Sequence, residues 1–375
     1  RCGTTSWRDP LVTWFAAVPA FLASVALLVG PGSLIVWTLR LGLAARIAAA
    51  SVASIVSIGV AGIVFGGLGV PFAPWQVVVV AAVAATPVWI VNRRRVRAAG
   101  PQEASPWRWL LLAWLGAIAV TAVVAFAAVP DPGRVSQTYD NVFHMSAIAD
   151  ILDGGSASSV TLRTLIETDR TASFYPAAWH ALVAAVSMLS GANAAVAVNA
   201  SWVAVVATVW MPGAVWLSQL LLPRLAASTV AFVALPLSAV FPAMPYVLLS
   251  WGSLYPTFLA TALLPAAISV LLASTRTVRR TVGMRRWRAA ALGALATGGT
   301  VAAVALSQPR VLASLALLVL PGAVGIAGRA FLGLWRGGSR ARRRAAWSVV
   351  GALALLALAA AAAFAYLVRA LGLLD

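Results

Sequence analysis

Residues 107–144 read WRWLLLAWLGAIAVTAVVAFAAVPDPGRVSQTYDNVFH. No charged residue occurs from Trp109 to Pro130. At ~1.5 Å rise per residue, about 20 residues cross the hydrocarbon of a bilayer, so this run is long enough to span it. In lipid, a spanning segment must pair its own backbone groups, which makes it a helix. Pro130-Asp131-Pro132-Gly133 then turns the chain. Polar sequence follows, carrying Asp140 and His144. One stretch thus holds a transmembrane helix and the start of the long polar loop 130–180.

The same apolar pattern recurs along the chain. Of 375 residues, 62% are hydrophobic and 10% are charged, and the mean hydropathy is +0.94. A soluble domain is about 45–50% apolar and about 25% charged. These values exclude a soluble globular enzyme, a disordered chain, a disulfide scaffold and a collagen-like chain. Spans are expected at 11–38, 44–68, 75–92, 107–129, 194–222, 224–241, 255–275, 290–306, 311–334 and 347–370. The fold class is all-α: a polytopic helical membrane protein with about ten transmembrane helices. Three regions follow: N-terminal spans 1–129, an external loop 130–193 with short amphipathic helices, and C-terminal spans 194–375. Cys2 stands alone, so neither an internal disulfide nor a Cys/His zinc pattern can form. The chain begins at Arg1, not Met, as a fragment does.

The formal net charge is +18, and every basic residue is arginine. Together with the Ala/Val/Leu bias, that is the composition of a GC-rich genome. The arginines sit in runs between apolar segments: Arg93, Arg94, Arg95, Arg97 and Arg108; Arg276, Arg279, Arg280, Arg285, Arg286 and Arg288; and Arg336, Arg340, Arg342, Arg343 and Arg344. That is how cytoplasmic loops read under the positive-inside rule. With Arg40, Arg46, Arg224 and Arg329 on the same side, 20 of the 27 arginines face the cytoplasm. Anionic lipid contact, not nucleic-acid binding, explains such a charge. Residues 175–190 are apolar, yet a full crossing there would put the second arginine run outside. They read as a re-entrant or interfacial helix. Trp107, Trp179, Trp251, Trp287, Trp335 and Trp347 lie near span ends, as interfacial anchors do.

Of nine acidic residues, six fall between Asp131 and Asp169. Both histidines, His144 and His180, lie in this stretch or at its end. The groups able to act as acid, base or metal ligand are thus gathered in one external loop. Tyr139-Asp140-Asn141-Val142-Phe143-His144 opens an amphipathic helix that Thr138 or Asp140 can cap. Gly154-Gly155 closes it. Asp140 and His144 are four residues apart and share a helix face. Such a pair orients a histidine, holds a metal or deprotonates a hydroxyl; the plain alternative is a cap beside a surface histidine. Further on, Phe174-Tyr175-Pro176-Ala177-Ala178-Trp179-His180 opens the second helix. Trp179 is then either an anchor at the water–lipid boundary or an aromatic wall for a saccharide.

A membrane helix, a large external loop bearing Asp, the motifs D-x-x-x-H and Y-P-x-x-W-H, and many further spans resemble the GT-C superfamily of integral-membrane glycosyltransferases. The motifs D-N-V-F-H and Y-P-A-A-W-H also resemble an uncharacterised actinobacterial multi-pass family. The motif-bearing part covers about residues 107–310. The resemblance implies transfer of a sugar from a polyprenyl-phosphate donor to a cell-envelope glycan or glycolipid acceptor. Carried over, Asp140 is the first candidate base and Asp131, just after the 107–129 span, the second. Asp131 reads equally as a turn residue. His144 and His180 orient the base or acceptor. Tyr175, Trp179, Tyr246, Trp251 and Tyr255 line the sugar site, or anchor the protein in the interface. Arg310 contacts the carrier phosphate, or snorkels to the surface. The resemblance allows a divalent metal, Mg2+ or Mn2+, and an envelope-assembly protein partner.

Two other functions compete. A lipid or polyprenyl transporter or flippase needs polar groups inside the bundle, and Asn199 and Gln219 are the notable ones. A non-catalytic membrane scaffold would make the external carboxylates dispensable.

Overall fold

The computed structural model describes residues 14–96, 107–169 and 171–336, and separate residues between 339 and 351. Cys2, Arg97, Arg342 and the expected tenth span from residue 352 onward lie outside the described residues. The described chain is helical, without a strand. Its helices are α1 Val18–Val36, α2 Leu43–Gly67, α3 Pro74–Val96, α4 Trp107–Ala128, α5 Tyr139–Leu152, α6 Ala178–Ser190, α7 Ala194–Leu221, α8 Ala227–Val240, α9 Tyr255–Arg280, α10 Met284–Ser307 and α11 Val311–Arg336.

Eight stretches are long and apolar enough to cross a membrane: α1, α2, Leu110–Ala128 of α4, α7, Ala227–Ser250, α9, α10 and α11. The protein is an all-α polytopic membrane protein. The expected span at 75–92 is present as α3, whose apolar part, Pro74–Ile90, is shorter than these eight. The chain divides into two compact units, residues 1–312 and 313–375. In the second unit Phe331 stacks on Trp335 at 5.6 Å, and the Arg343 guanidinium lies 5.1 Å from the Trp335 ring centre.

Successive helices of the first unit run back and forth. The turns at 36–43, 221–227 and 280–284 fall at one end of the bundle. Arg276 ties two of them by donating to the Leu220 carbonyl at 2.8 Å. The turns at 67–74, 128–194, 250–255 and 307–311 fall at the other end. There the Trp14 indole donates to the Val129 carbonyl at 2.8 Å. The arginine-bearing turns and the acidic segment 130–193 therefore lie at opposite ends.

α7 packs against α1, α2, α8 and α9 and forms the centre of the bundle. Its turn Val206–Trp210 widens to π-helical geometry. A widened turn leaves carbonyls poorly paired, which is costly away from water. Two neighbours supply donors: the Trp114 indole reaches the Ala207 carbonyl at 2.9 Å and the Ser51 hydroxyl reaches the Thr208 carbonyl at 3.0 Å. α1 and α2 approach so closely that a Cβ at Gly32 would strike the Ala50 backbone. The gap lets the Gly32 N–H reach the Ser54 hydroxyl at 2.8 Å.

The helix from residue 227 ends at Val240, within a residue of the expected 241, and Phe241 and Met244 have extended backbone. Pro242 and Pro245 cannot donate to a helix ladder, which fits the break there. The chain stays apolar through Pro242–Val247 and makes one short helical turn at Leu248–Ser250 before the loop to α9. One expected boundary moves. The segment at 175–190 forms α6, which starts only at Ala178. At thirteen residues it is about 20 Å long, too short to span. It is not interfacial in burial: every residue from Ala178 to Ser187 is enclosed, packed on α1, α2, α5, α7 and α9. Gly191, at φ +71°, ends it in the left-handed conformation.

Candidate functional site

The site forms where the segment 130–193 folds back on the bundle. Asn199 of α7 holds its first turn, donating to the carbonyls of Pro132 at 2.8 Å and Arg134 at 2.9 Å. Within that turn the Asp131 carboxylate accepts from the Gly133 N–H at 2.8 Å. Asp131 is thus a turn residue in this arrangement. The Asn141 amide donates to the Ser136 carbonyl at 2.8 Å and draws the loop against the start of α5.

Thr138 precedes α5 with extended backbone, as an N-cap does, yet its side chain does not cap. Its hydroxyl turns to the Ser253 hydroxyl at 3.3 Å, on the loop before α9. Ser253 has φ 53°, a left-handed conformation that a non-glycine residue adopts at some cost. Asp140 lies in the first turn of α5, where a carboxylate is favoured by the helix dipole. It is exposed.

A strap, residues 153–177, carries Tyr175 across the bundle end. It rests on α2 at Gly62, where a Cβ would strike the Ala157 carbonyl. Tyr175 N–H donates to the Ser159 carbonyl at 2.9 Å, and Ser173 N–H to Val160 at 2.8 Å. Arg163 pairs with Glu167 at 2.7 Å, and the Ser173 hydroxyl donates to the same carboxylate at 2.5 Å. The strap is therefore closed on itself as well as docked.

These elements bring an aromatic–histidine cluster together. His144 Nδ1 and His180 Nε2 are hydrogen-bonded at 2.9 Å. Phe143 packs on Tyr175 with ring centres 4.5 Å apart, and Tyr175 meets His180 edge-on at 5.7 Å. Tyr255, at the head of α9, meets His144 edge-on at 5.5 Å and stacks on Trp179 at 4.9 Å and 3°. Burial pushes the His144 pKa down to about 4, against a smaller upward pull from Asp140. Burial also lowers His180, and His144 lowers it further. The Tyr175 hydroxyl is pushed up to about 12, first by burial and then by Asp140, with Arg163 and Arg310 pulling the other way. Asp140, Arg163 and Arg310 thus all act on one buried phenol.

Asp140, His144, Tyr175, His180 and Tyr255 converge, with Arg310 exposed within electrostatic reach. Trp251, 83% exposed, sits on the loop whose Gly252 faces Asp140. Three expected placements change. Trp179 is not at a water–lipid boundary: it is wholly enclosed and roofed by Tyr255, so it supports the cluster instead of offering a wall to a sugar. His144 makes its hydrogen bond to His180, not to Asp140. Tyr246 is committed to the Ala239 carbonyl at 2.6 Å. Phe143, Arg163 and Ser253 also belong to the site. The sequence shows Phe143 only as a member of D-N-V-F-H, without a role, and Arg163 only by its four-residue spacing from Glu167; Ser253 leaves no mark.

Among the described residues, no three His, Cys, Asp or Glu side chains converge as metal ligands. Mg2+ and Mn2+ favour several oxygen ligands. One exposed carboxylate beside two imidazoles joined to each other fits such an ion poorly.

The buried pair makes stability depend on pH. An unfolded histidine takes up a proton near 6.5, whereas folded His144 resists until about 4. The unfolded chain binds more protons between these values, so stability is full above about pH 6.5 and falls as pH drops toward 4. At ~1.4 kcal/mol per pKa unit the loss from His144 is about 3 kcal/mol. Thermal unfolding in detergent at pH 7 and pH 4.5 should show a clear drop that His144→Gln reduces. Equal slopes in both proteins would mean that the histidine is not held neutral.

No curated protein matches the chain. No solved structure matches it either. Residues 25–373 match the sequence profile of DUF6541, described as a family of unknown function. With that match covering most of its length, the chain belongs to the DUF6541 family.

Proposed function

We propose that this protein is a membrane glycosyltransferase of GT-C type, working at the extracytoplasmic face of the plasma membrane. The observation that carries the reading is the position of Asp140. It is an exposed carboxylate at the edge of an aromatic–histidine cluster, with Arg163 and Arg310 acting on the same phenol. This group lies at the bundle end opposite the arginine-bearing turns, which the positive-inside rule assigns to the cytoplasm.

The chemistry needs few groups. The donor is a sugar on polyprenyl phosphate. Asp140 takes the proton of an acceptor hydroxyl on an envelope glycan or glycolipid. That oxygen bonds to the anomeric carbon as the bond to the phosphate oxygen breaks, and polyprenyl phosphate leaves with the electron pair. Arg310, which makes no ion pair among the described residues, offers charge-assisted donors to the leaving phosphate. Arg163 is already held by Glu167 and adds field more than contact. The exposed Trp251 and the edge of Tyr175 offer apolar faces for a sugar ring.

A transport reading has less support. Asn199 is bound to the loop carbonyls of Pro132 and Arg134, and Gln219 to Ala227 at 3.0 Å. These two polar side chains are spent on holding turns.

The test is direct transfer. Membranes containing the full chain receive a panel of labelled polyprenyl-phosphate sugars, and label is followed into glycan and lipid fractions. Transfer above membranes lacking the protein is expected from one donor class. Absence of transfer from every donor, with folded protein and native acceptors, would turn the assignment toward a scaffold.

A further inference from the structure

Away from the candidate site, a cavity of about 270 Å3 lies between α2, α4, α7 and α8. Leu43, Leu110, Trp114, Val215, Ala231 and Leu235 make its wall apolar. It follows α8 from Ala227 to Leu235, about 12 Å at the helical rise. It is thus a slot that runs inward from the arginine-bearing end. Two of its polar groups are already engaged: the Trp114 indole donates to the Ala207 carbonyl at 2.9 Å and the Gln219 amide to the Ala227 carbonyl at 3.0 Å. An occupant therefore meets mostly carbon. Close by in sequence, Leu112 and Leu115 of α4 and Val233 of α8 are more than half exposed. The slot adjoins helix faces that meet the hydrocarbon of the bilayer. Left empty, it would forfeit the dispersion contacts its wall can make.

The rim has the opposite chemistry. Arg40 and Arg46 flank Gly42–Ala44, Arg108 lies two residues before Leu110, and Arg224 three before Ala227. All four are exposed. No acidic residue occurs in 36–46, 107–114 or 212–235. α2 and α8 begin at this rim and no side chain caps either, so their first-turn N–H groups add to the positive field. An apolar slot beneath four arginines, beside lipid-facing helices, fits a molecule with an apolar chain and an anionic head. We propose that the slot binds an anionic phospholipid of the adjacent leaflet, with one acyl chain between α4, α7 and α8 and the phosphate held by Arg40, Arg46, Arg108 and Arg224. A polyprenyl phosphate shares this chemistry. Its sugar-bearing end would have to reach Asp140 at the other end of the bundle, whereas a phospholipid is already at the rim. The site is therefore independent of the glycosyltransferase reading.

A ligand that binds the folded form raises its unfolding temperature. The full chain in detergent is titrated with phosphatidylglycerol, with phosphatidylcholine of the same chains, and with polyprenyl phosphate. A saturable rise is expected with phosphatidylglycerol, at a concentration about tenfold or more below that needed for phosphatidylcholine. The double variant Arg46→Gln/Arg224→Gln should erase most of that difference. Ala231→Leu, which fills the slot, should lose the response to phosphatidylglycerol. Equal responses to the two phospholipids overturn the arginine seat. An unchanged response in folded Ala231→Leu protein overturns the slot, and a tighter response to polyprenyl phosphate overturns the assigned occupant. A second measurement needs no variant. Phosphatidylglycerol with a photoreactive group in its acyl chain is cross-linked to the wild type. Label is expected to concentrate in 107–114 and 212–235. Label spread evenly over the lipid-facing helices overturns the site.

Discussion

Asp140→Asn is expected to lower sugar transfer by about 100- to 10,000-fold, the range that a positioned general base contributes. The amide has nearly the shape of the carboxylate and cannot take the acceptor proton. Because Asp140 is exposed in the first turn of α5, its replacement should cost the fold only about 0.3–1 kcal/mol through the helix dipole. Lost transfer with an unchanged unfolding temperature would therefore report on chemistry. Asp131→Asn supplies the contrast. The Asp131 carboxylate accepts from the Gly133 N–H, a bond that the asparagine side-chain oxygen also makes. Its transfer should stay within about twofold of wild type, the usual scale for a surface change away from a site. The reverse pattern would move the base to the turn after α4 and keep the reaction class. Full transfer in both variants would remove the carboxylate from the mechanism.

The helices were legible because bilayer thickness acts on sequence directly. The uncharged run after Trp109 has to be helical and has to be about 20 residues long, and α4 ends where Pro130-Asp131-Pro132-Gly133 says it should. Proline marked the break after Val240, yet Pro236 and Pro265 lie inside helices that run on past them. A helix whose neighbours re-satisfy its backbone can carry a proline, so the residue alone does not say whether a span stops or deforms. The widened turn at Val206–Trp210 has one sequence signal, Pro212, which cannot donate to the Thr208 carbonyl. The donors that make the turn tolerable, from Ser51 and Trp114, are remote in the chain and leave none.

At the site, spacing reached as far as one helix. Asp140 and His144 had to share a face of α5, and they do. The partner of His144 lies on another helix, 36 residues on, and its distance is set by how α5 packs on α6. Asn199 looked like a polar group in search of a transport role. It proves to pin the loop that leads into α5, because two backbone carbonyls there need a buried donor. Trp179 misled in the other direction. A tryptophan near a short apolar helix end is commonly an interfacial anchor, and nothing local to it reveals that Tyr255, 76 positions away, will cover its face.

Trp179→Ala is expected to be the most destabilising single change in the site, by about 3–5 kcal/mol. Its side chain is entirely enclosed, stacked on Tyr255 and edge-on to Phe258 at 6.1 Å. Removing the indole leaves a cavity where α6 packs on α9, and cavity loss operates whether the surrounding solvent is water or lipid. The neighbouring position is His180, so the His144–His180 bond should loosen with it. Trp179→Phe separates the contributions. Phenylalanine keeps an aromatic face against Tyr255. It also removes the indole N–H, which has no hydrogen-bond partner and costs about 1–3 kcal/mol as a buried unpaired donor. The smaller ring should thus lose much less than alanine, despite the volume it gives up. Thermal unfolding in detergent ranks the three proteins, and the expected order is wild type and Phe close together with Ala far below. If Phe falls as far as Ala, the indole N–H holds something that these residues do not supply, a bound water or a ligand hydroxyl. If Ala unfolds with the wild type, α6 is not the buried platform on which the histidine pair depends.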